Sequence, residues 1–335
     1  MLVLRKPYLL YLGDARLKSD CKTAFGLRDW CRADVLGEWS QPAAAVTLDV
    51  PRLSPAQAAA RGAGSIVVGV APTGGLLPQH WQDDLEAALE AGLDAVSGLH
   101  TRLTSFPRLV RAAEQRGVRL IDVRHMNPTF PVATGRKRAG NRVLTVGTDC
   151  ALGKKYTALA LTAELSARGV PATFRATGQT GIMIAGSGIA MDALVADFLA
   201  GAAEALSPDA APEHWDVIEG QGSIFHPAYA GVTLGLLHGS QPDAIVLCHA
   251  PEREAIEEYP DYPIPPLATV IDDYLRLGRL TNRRIRCVGL SINSSTLGDA
   301  EWTRYQARVG RELALPVCDP LRGGVAPLVD RLLAT

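Results

Sequence analysis

The most specific chemical signal lies between Val143 and Thr157, where an apolar run, a glycine turn, a lysine and a helical run follow one another. Such a segment surrounds a phosphate group with backbone N–H groups, the positive end of a helix and the lysine charge. We therefore predict a phosphate-binding loop. Its predicted cofactor-binding residues are Gly147, Thr148, Asp149, Cys150, Ala151, Leu152, Gly153, Lys154, Lys155 and Tyr156.

Lys155 departs from the usual form of this loop. A loop that serves phosphoryl transfer carries Ser or Thr after the lysine, and that hydroxyl helps to hold Mg²⁺. Lys155 removes this ligand and adds a second cation, which favours a diphosphate that is bound without reacting over ATP hydrolysis. Thr148, Thr157 or Thr180 remains an alternative source of the hydroxyl.

Further polar and glycine-rich clusters follow the other predicted strands of the same region. They are Thr177–Thr180, Glu219–Ser223, His249 and Asn293. Ligands of open parallel sheets bind beyond the carboxyl ends of the strands. These clusters and the phosphate loop therefore predict one site.

The elements that position these residues follow an alternating pattern. Predicted strands in the first third are Tyr8–Leu12, Ala43–Val50, Gly64–Val70, Asp94–Leu99 and Arg119–Val123, separated by helical segments. Strands alternating with helices predict an α/β fold with parallel sheets. We predict a Rossmann-like domain over residues 1–126, a linker over 127–141 and a P-loop NTPase-like α/β domain over 142–335. The first domain lacks GxGxxG after its first strand, so no dinucleotide is assigned to it.

Three further segments have less regular patterns. A helix is predicted over about Ala190–Leu206. Glu257–Pro266 has four prolines and is predicted to be an irregular lid or interface loop. The basic run Arg136–Arg138 is interpreted as a solvated linker face, with a phosphate clamp as the alternative.

Composition limits the class of protein. The chain has 335 residues, 47% of them hydrophobic, and a formal net charge of −1. Binding of nucleic acid through bulk charge is therefore not expected. No apolar run reaches the ~20 residues that cross a bilayer, and we expect a cytoplasmic protein that does not associate with membranes. The six cysteines form no CxxC pair, so neither a disulfide framework nor a metal site is predicted.

Two resemblances can be drawn from these motifs. Gly147-Thr-Asp-x-x-x-Gly-Lys resembles the phosphate loop of dethiobiotin synthetase and its relatives, Glu219-Gly-Gln-Gly resembles their acidic turn, and Asn293 lies where they keep a base-recognising asparagine. The whole chain is similar to a bacterial two-domain family long of unknown function. The shared motifs are Lys22-Thr-Ala-x-Gly-Leu, Ala176-Thr-Gly-Gln-Thr-Gly-Ile, Ile218-Glu-Gly-Gln-Gly-Ser-Ile-x-His-Pro-Ala-Tyr and Gly239-Ser-x-Pro-Asp-Ala.

Some members of that family are assigned as D-glutamate N-acetyltransferases. The resemblance implies acetyl-CoA as the cofactor, a small amino acid as the substrate, and direct attack of its amine on the thioester. The first alternative is an ATP- and Mg-dependent ligase or kinase of the dethiobiotin synthetase type, and the second is a non-catalytic nucleotide-binding switch. Domains with such loops often pair, so a homo-oligomer is expected.

Amine acetylation requires a base for the amine, donors for the oxyanion and cations for the substrate carboxylates. Glu219 is the first candidate base, although a magnesium ligand is an equally good interpretation of it. His226 is the second candidate, and Lys154 completes the catalytic set. The predicted substrate-binding residues are Gln179, Thr180, Gln221, Ser223 and Lys22, with Arg175, Arg253 and the basic linker as further carboxylate partners. Lys22 is also interpreted as an ordinary helix start, and His249 as a core histidine.

Overall fold

The computed structural model describes residues 2–72 and 75–334. The chain divides into two compact units. Unit 1 contains the residues up to Pro128 together with Gly178–Ala193, and unit 2 contains Thr129–Thr177 and the residues from Leu194 onward. Each unit is built on a sheet whose paired strands are all parallel. The predicted α/β class with parallel sheets is therefore confirmed.

Unit 1 has a five-stranded sheet covered by helices. Its elements along the first part of the chain are β1 (Tyr8–Gly13), α1 (Lys22–Trp30), β2 (Val35–Ser40), α2 (Pro55–Ala60), β3 (Ser65–Val68), α3 (Gln82–Glu90), β4 (Asp94–Ser97), α4 (Pro107–Arg116) and β5 (Leu120–Asp122). The strand order is β2-β1-β3-β4-β5. Every residue of β1, β3 and β4 is buried, as expected for strands covered on both faces.

The prediction of a strand over Ala43–Val50 is wrong, because the strand lies at Val35–Ser40. Gly37 and Glu38 interrupt the apolar pattern by which a buried strand would be recognised in the sequence. A side chain at Gly37 would lie 2.4 Å from the carbonyl oxygen of Pro51. The Glu38 carboxylate is buried and accepts hydrogen bonds from the Thr47 hydroxyl at 2.8 Å and the Leu48 N–H at 2.5 Å. The apolar run after the strand therefore packs as a loop on this carboxylate.

Unit 2 has a six-stranded sheet of order β13-β12-β9-β6-β8-β7. From residue 141 onward the elements of the chain are β6 (Asn141–Gly147), α5 (Lys154–Ala167), β7 (Ala172–Arg175), α6 (Gln179–Ala185), α7 (Leu199–Leu206), β8 (Trp215–Ile218), α8 (Ala230–Ser240), β9 (Ala244–His249), β10 (Ala255–Ile256), β11 (Tyr259–Pro263), α9 (Leu267–Gly278), β12 (Arg286–Ile292), α10 (Asp299–Leu313), β13 (Val317–Cys318) and α11 (Ala326–Leu333). Of these, α6 belongs to unit 1. Val143, Val217, Val246 and Val288 place the core of unit 2 around its central strands. Among the described helices, none is long and apolar enough to cross a membrane.

Helix α6 interrupts the sequence of unit 2. Its first residues pack in unit 1, where the Thr180 hydroxyl lies 2.8 Å from the Thr23 hydroxyl at the start of α1. A side chain at Gly98, after β4, would lie 2.4 Å from Cγ of Gln179. The predicted helix over Ala190–Leu206 is wrong in its first half, since a regular helix begins only at Leu199.

The segment Glu257–Pro266 is more regular than predicted. Strands β10 and β11 form a short antiparallel hairpin in which Ala255 pairs with Pro263 and Ile256 with Tyr259. Prolines are tolerated on edge strands, where the missing N–H would have faced solvent. Within residues 2–72 and 75–334, the hairpin is a two-stranded sheet with no further partner strand.

The basic run that precedes β6 is not a solvated face throughout. Arg138 is buried and donates to the carbonyl oxygens of Ser207 at 2.6 Å and Gly239 at 2.8 Å. Lys137 forms an ion pair with Asp243 at 2.8 Å, and Arg136 pairs with Asp209. The run therefore fixes the amino end of β6 by binding acceptors of its own unit.

Candidate functional site

The phosphate loop joins β6 to α5 and wraps around the side chain of Lys154. Gly153 has a φ of 98°, a left-handed conformation that favours glycine. The buried Lys154 Nζ donates to the carbonyl oxygen of Asp149 at 2.7 Å. A side chain at Gly147 would lie 3.0 Å from that Nζ. The two glycines thus allow the chain to close around the lysine, as the spacing predicts.

The hydroxyls that could replace the missing Ser or Thr have partners in the fold. Thr148 Oγ1 lies 2.9 Å from His249 Nδ1. Thr157 Oγ1 donates to the Gly153 carbonyl at 3.0 Å and lies 2.7 Å from the Ser291 hydroxyl. Thr180 is bonded to Thr23 within unit 1, as described above. Lys155 lies with its Nζ 5.3 Å above the ring of Tyr156.

The carboxylate of Asp149 is fully buried and connects the loop to the hairpin segment. Its Oδ2 accepts from Arg253 Nη1 at 2.6 Å and from the Glu257 N–H at 2.8 Å, and its Oδ1 accepts from the Cys150 N–H at 2.6 Å. Burial lowers the pKa of Arg253, but its pairs with Asp149 and Glu257 raise it above the usual value. Arg253 therefore neutralises a carboxylate of the protein itself, and its charge is already engaged before any substrate carboxylate binds.

His226 lies beside this carboxylate, with Nε2 4.0 Å from Oδ1 of Asp149. Its Nδ1 accepts the N–H of Ala228 at 3.1 Å. A neutral ring that accepts at Nδ1 carries its proton on Nε2. Burial lowers the pKa of His226, although the negative charge of Asp149 opposes this. Near neutral pH, Nε2 of His226 is therefore a hydrogen-bond donor.

Aromatic rings surround His226. The ring centroid of Tyr229 lies 4.4 Å away, and that of Tyr259, on the hairpin, lies 5.2 Å away. Tyr262 packs edge-on against Tyr259 at 6.0 Å. The hairpin therefore contributes one wall of the surroundings of His226, and Asp149 holds the segment that leads to it.

The Glu219 turn follows β8 and is bonded to the neighbouring strands. Glu219 is buried, and its Oε2 accepts the Thr177 N–H at 2.9 Å. Gly220 donates to the Thr145 hydroxyl at 2.9 Å. Gln221 Nε2 donates to Thr177 Oγ1 at 3.0 Å. The turn therefore keeps Glu219 at the carboxyl edge of the sheet.

Ser223 and Tyr274 connect this turn to the phosphate loop. Ser223 Oγ donates to the Thr148 carbonyl at 3.1 Å. The buried hydroxyl of Tyr274, on α9, donates to the Gly147 carbonyl at 2.9 Å and accepts the Ile224 N–H at 3.2 Å. Sequence reasoning missed Tyr274, because nothing in the pattern of α9 distinguishes it from an ordinary core aromatic residue.

Asn293 follows β12 at the same edge, where its N–H donates to the His249 carbonyl at 2.9 Å. Its side-chain Oδ1 accepts the Ser295 N–H at 3.2 Å. Unit 2 thus brings together the predicted loop residues with Glu219, Gln221, Ser223, His226 and Asn293. The predicted residues Lys22, Gln179 and Thr180 lie in unit 1.

The unit 1 residues are close to one another. Lys22 and Thr23 begin α1, Gln179 and Thr180 begin α6, and the two threonine hydroxyls join the helix starts. Gln179 Oε1 accepts from Nη2 of Arg124 at 2.7 Å. Arg124 is buried, which lowers its pKa to about 10. The roles of Lys22, Gln179 and Thr180 in substrate binding stay predictions.

Arg175 binds an acid of its own unit. It forms an ion pair with the buried Asp216 at 2.7 Å. With Arg253 and the basic linker already paired, the cations that the sequence offers as carboxylate partners are all engaged within the fold.

One group with metal-ligand chemistry occurs within residues 2–72 and 75–334. The ligand atoms of Asp149, Cys150 and His226 all lie within 4.8 Å of one another. A metal would need the lone pair of His226 Nε2, which carries the proton in this arrangement, and the carboxylate already binds Arg253. The residues are therefore not arranged for a metal, and the predicted absence of one stays a prediction.

A glycine turn and a Gly-Lys helix start at the carboxyl edge of a parallel sheet define the P-loop class of α/β proteins. A family model described as "Domain of unknown function (DUF1611_C) P-loop domain" matches residues 131–329. A second, described as "Domain of unknown function (DUF1611_N) Rossmann-like domain", matches residues 35–126. The chain belongs to the DUF1611 family. The predicted Rossmann-like and P-loop domain types and the family resemblance are confirmed.

Two curated relatives match over nearly the full chain. A protein of Tritonibacter scottomollicae named D-glutamate N-acetyltransferase is 47% identical over 332 residues, covering 99% of this chain and 100% of its own. A Pseudoalteromonas protein of the same name is 44% identical over 329 residues, covering 98% and 99%. The crystal structure of a DUF1611 family protein from Anabaena variabilis has a TM-score of 0.89 and 33% identity, covering 98% of this chain and 99% of its own. Both curated relatives bear the name of the activity that the sequence motifs imply.

Substitution of Gly220 is expected to destabilise the protein. A Cβ there would lie 1.7 Å from the Thr145 carbonyl oxygen, so we expect Gly220→Ala to cost about 1–3 kcal/mol or more through overpacking. Gly231 is the matched control, since a Cβ on it meets nothing within 4 Å and alanine favours a helix. Thermal denaturation would show a lower midpoint for Gly220→Ala only. Equal midpoints for both variants would contradict the geometry.

Acid is expected to destabilise the protein through His249. Burial lowers its pKa from 6.5 to about 4. The unfolded chain binds this proton below about pH 6.5, whereas the folded chain resists it until about pH 4, so the stability from the neutral ring is lost as pH falls through that window. In His249→Gln the midpoint should fall less between pH 6.5 and 4 than in the wild type. If the midpoints of the two proteins fall equally over this pH range, His249 is not the cause of the acid destabilisation.

Proposed function

We propose that this chain is a D-glutamate N-acetyltransferase with acetyl-CoA as the donor. The observation that carries the proposal is the similarity, over nearly the whole chain, to two relatives of that name. The sequence motifs that led to the same activity lie on the phosphate loop, on the Glu219 turn and at the helix starts of unit 1. A cytoplasmic location and a homo-oligomeric state remain predictions.

The donor set of the loop suits a diphosphate that is bound without being transferred. Lys154 and Lys155 supply two positive charges, and the start of α5 supplies N–H groups. The threonine hydroxyls of the loop and of α5 are directed at protein partners, and the position after Lys154 offers no hydroxyl to Mg²⁺. These features support CoA binding through Lys154, Lys155 and the loop N–H groups. Asn293 would lie at the end of the site that binds the adenine ring.

Acetyl-CoA would supply a thioester whose acetyl carbon the substrate amine attacks. The amine must first lose a proton, and the buried Glu219 is our proposed base. His226 is less suited to that role because its Nδ1 binds a backbone N–H and its Nε2 carries a proton. Its Nε2–H instead suits donation to the acetyl oxygen as negative charge develops there.

Gln221 and Ser223 are proposed to hold the turn that carries this base. Gln221 binds Thr177, which in turn binds the carbonyl of Glu219. Ser223 binds the carbonyl of Thr148 in the phosphate loop. Their first effect is therefore on the position of Glu219 relative to the loop, and any direct contact with the amino acid would be additional.

The donor can be tested by ligand stabilisation. We expect acetyl-CoA and CoA to raise the thermal midpoint without Mg²⁺, by an amount equivalent to about 2.7 kcal/mol at one hundred times the dissociation constant. Lys154→Ala should weaken CoA binding by roughly ten- to a hundredfold, because charge-assisted hydrogen bonds contribute about 1.5–3 kcal/mol.

Stabilisation by ATP with Mg²⁺ alone would support the ligase or kinase alternative. Slow ATP hydrolysis that a partner protein accelerates would support the switch. If incubation with acetyl-CoA and D-glutamate releases no free thiol, the acetyltransferase proposal fails.

The base can be tested separately from cofactor binding. Glu219→Gln keeps the size of the side chain and an acceptor oxygen for the Thr177 N–H, but it removes the basic carboxylate. We expect kcat to fall by about 10²–10⁴-fold with little change in CoA affinity. Loss of CoA binding in this variant would assign Glu219 to the cofactor site, and unchanged kcat would show that it is not the base.

A further inference from the structure

A groove of about 400 Å³ runs along α10 in unit 2, lined by Leu297, Glu301, Arg304, Tyr305 and Arg308. It is largely open to solvent, and its volume falls in the lower part of the range of about 300–1,000 Å³ that is usual for ligand clefts. Leu297 and the ring of Tyr305 give it apolar surface, and Arg304 and Arg308 give it positive charge. This combination suits a ligand in which a flat ring is joined to an anion.

The lining side chains carry two positive charges and one negative charge, and the carboxylates of Glu252 and Glu312 also lie near the Tyr305 ring. Glu301 Oε2 accepts the N–H of Gly298 at 3.0 Å, so this carboxylate caps the start of α10. Arg308 pairs with Glu312 at 3.2 Å, but both side chains are more than half exposed, and such pairs are weak. In the described part of the chain, no residue forms an ion pair with Arg304. The Arg304 guanidinium is therefore available to a phosphate, and that of Arg308 becomes available by exchange of its exposed partner Glu312.

The aromatic wall of the groove packs against neighbouring side chains and is uncharged. The Tyr305 ring stacks on Trp302 at a centroid distance of 6.5 Å and an interplanar angle of 21°. The Arg308 guanidinium lies 5.3 Å from the Tyr305 centroid. Burial raises the pKa of Tyr305 to about 12, so its hydroxyl is neutral near pH 7 and adds no charge that would repel an anion.

The groove is linked to the phosphate loop by a short series of contacts. Leu297 lies four positions after Asn293, which binds the His249 carbonyl. Thr296 Oγ1 donates to Glu252 at 3.0 Å. Arg253, the next residue after Glu252, binds Asp149 in the loop. The groove and the loop therefore belong to the same edge of the sheet.

We propose that this groove binds the adenosine 3′-phosphate part of coenzyme A. Arg304 and Arg308 bind the 3′-phosphate, and the ring of Tyr305 contacts the adenine. This inference rests on the proposed acetyl-CoA donor and adds a basis for selectivity. ATP lacks a 3′-phosphate, so the two arginines favour CoA over ATP even though the phosphate loop can bind a diphosphate from either.

The test compares CoA with 3′-dephospho-CoA by calorimetry on the full-length protein at fixed ionic strength. We expect the wild type to bind CoA at least tenfold more tightly. Arg304→Ala and Arg308→Ala should each weaken CoA binding about tenfold, or ~1.4 kcal/mol, and leave dephospho-CoA binding nearly unchanged. Both positions are exposed on a helix, where alanine is well tolerated.

Arg283→Ala is the matched control. Arg283 is exposed and precedes the amino end of β12, at the sheet edge opposite to the loop, so its loss should not change the ratio of the two affinities. A wild-type ratio near one, with normal acetyl transfer, would overturn this inference alone. Absence of CoA binding would overturn it together with the proposed donor. A ratio that falls equally in Arg283→Ala would show that overall charge, rather than the groove, causes the preference.

Discussion

The buried carboxylate of Asp149 is the constraint on which the rest of the site depends. A carboxylate without solvent exposure must be paired and hydrogen-bonded, because removing one partner of a buried pair is strongly destabilising. Arg253, the Glu257 N–H and the Cys150 N–H meet this requirement. Since Arg253 precedes the hairpin and Glu257 lies in its turn, the shape of the phosphate loop and the position of the hairpin are set by the same side chain.

Close backbone approaches supply the second constraint. In the Glu219 turn, Gly220 lies against the Thr145 carbonyl, and the Tyr274 hydroxyl donates a hydrogen bond to the Gly147 carbonyl. Neither arrangement tolerates much displacement, since one is at steric contact and the other is a buried hydrogen bond. The base candidate Glu219 and the phosphate loop therefore keep a fixed relation although they lie on different strands. This rigidity is what a reaction between a bound donor and a positioned amine requires.

Local spacing predicted the phosphate loop and the strand-end clusters, because both depend on residues close together in sequence. Prediction from local spacing failed where a structural feature depends on a contact between residues far apart in sequence, or on a residue type that is unusual for its element. Tyr274 lies 127 residues from its hydrogen-bond partner Gly147. In β2, the buried Glu38 interrupts the apolar pattern by which a strand is recognised. The prolines of the hairpin indicate irregular structure unless an edge position is known. The membership of α6 in unit 1 has no sequence signal, since Ala176–Ile182 forms one continuous motif.

Lys155 alone does not decide between nucleotide hydrolysis and donor binding, since a hydroxyl from elsewhere could replace the missing one. In the structure, each threonine hydroxyl that could replace the missing ligand forms a hydrogen bond with another protein group. The Thr148 hydroxyl lies against a histidine kept neutral by burial, and the hydroxyl of Thr157, on α5, lies against that of Ser291, on β12. These hydrogen bonds fix the orientation of both hydroxyls, and a metal could use only the lone pairs that they leave. Lys155 therefore stands where a metal-binding hydroxyl is usual, in a loop whose threonine hydroxyls are directed at protein partners, and this arrangement is consistent with phosphates that are held and not transferred.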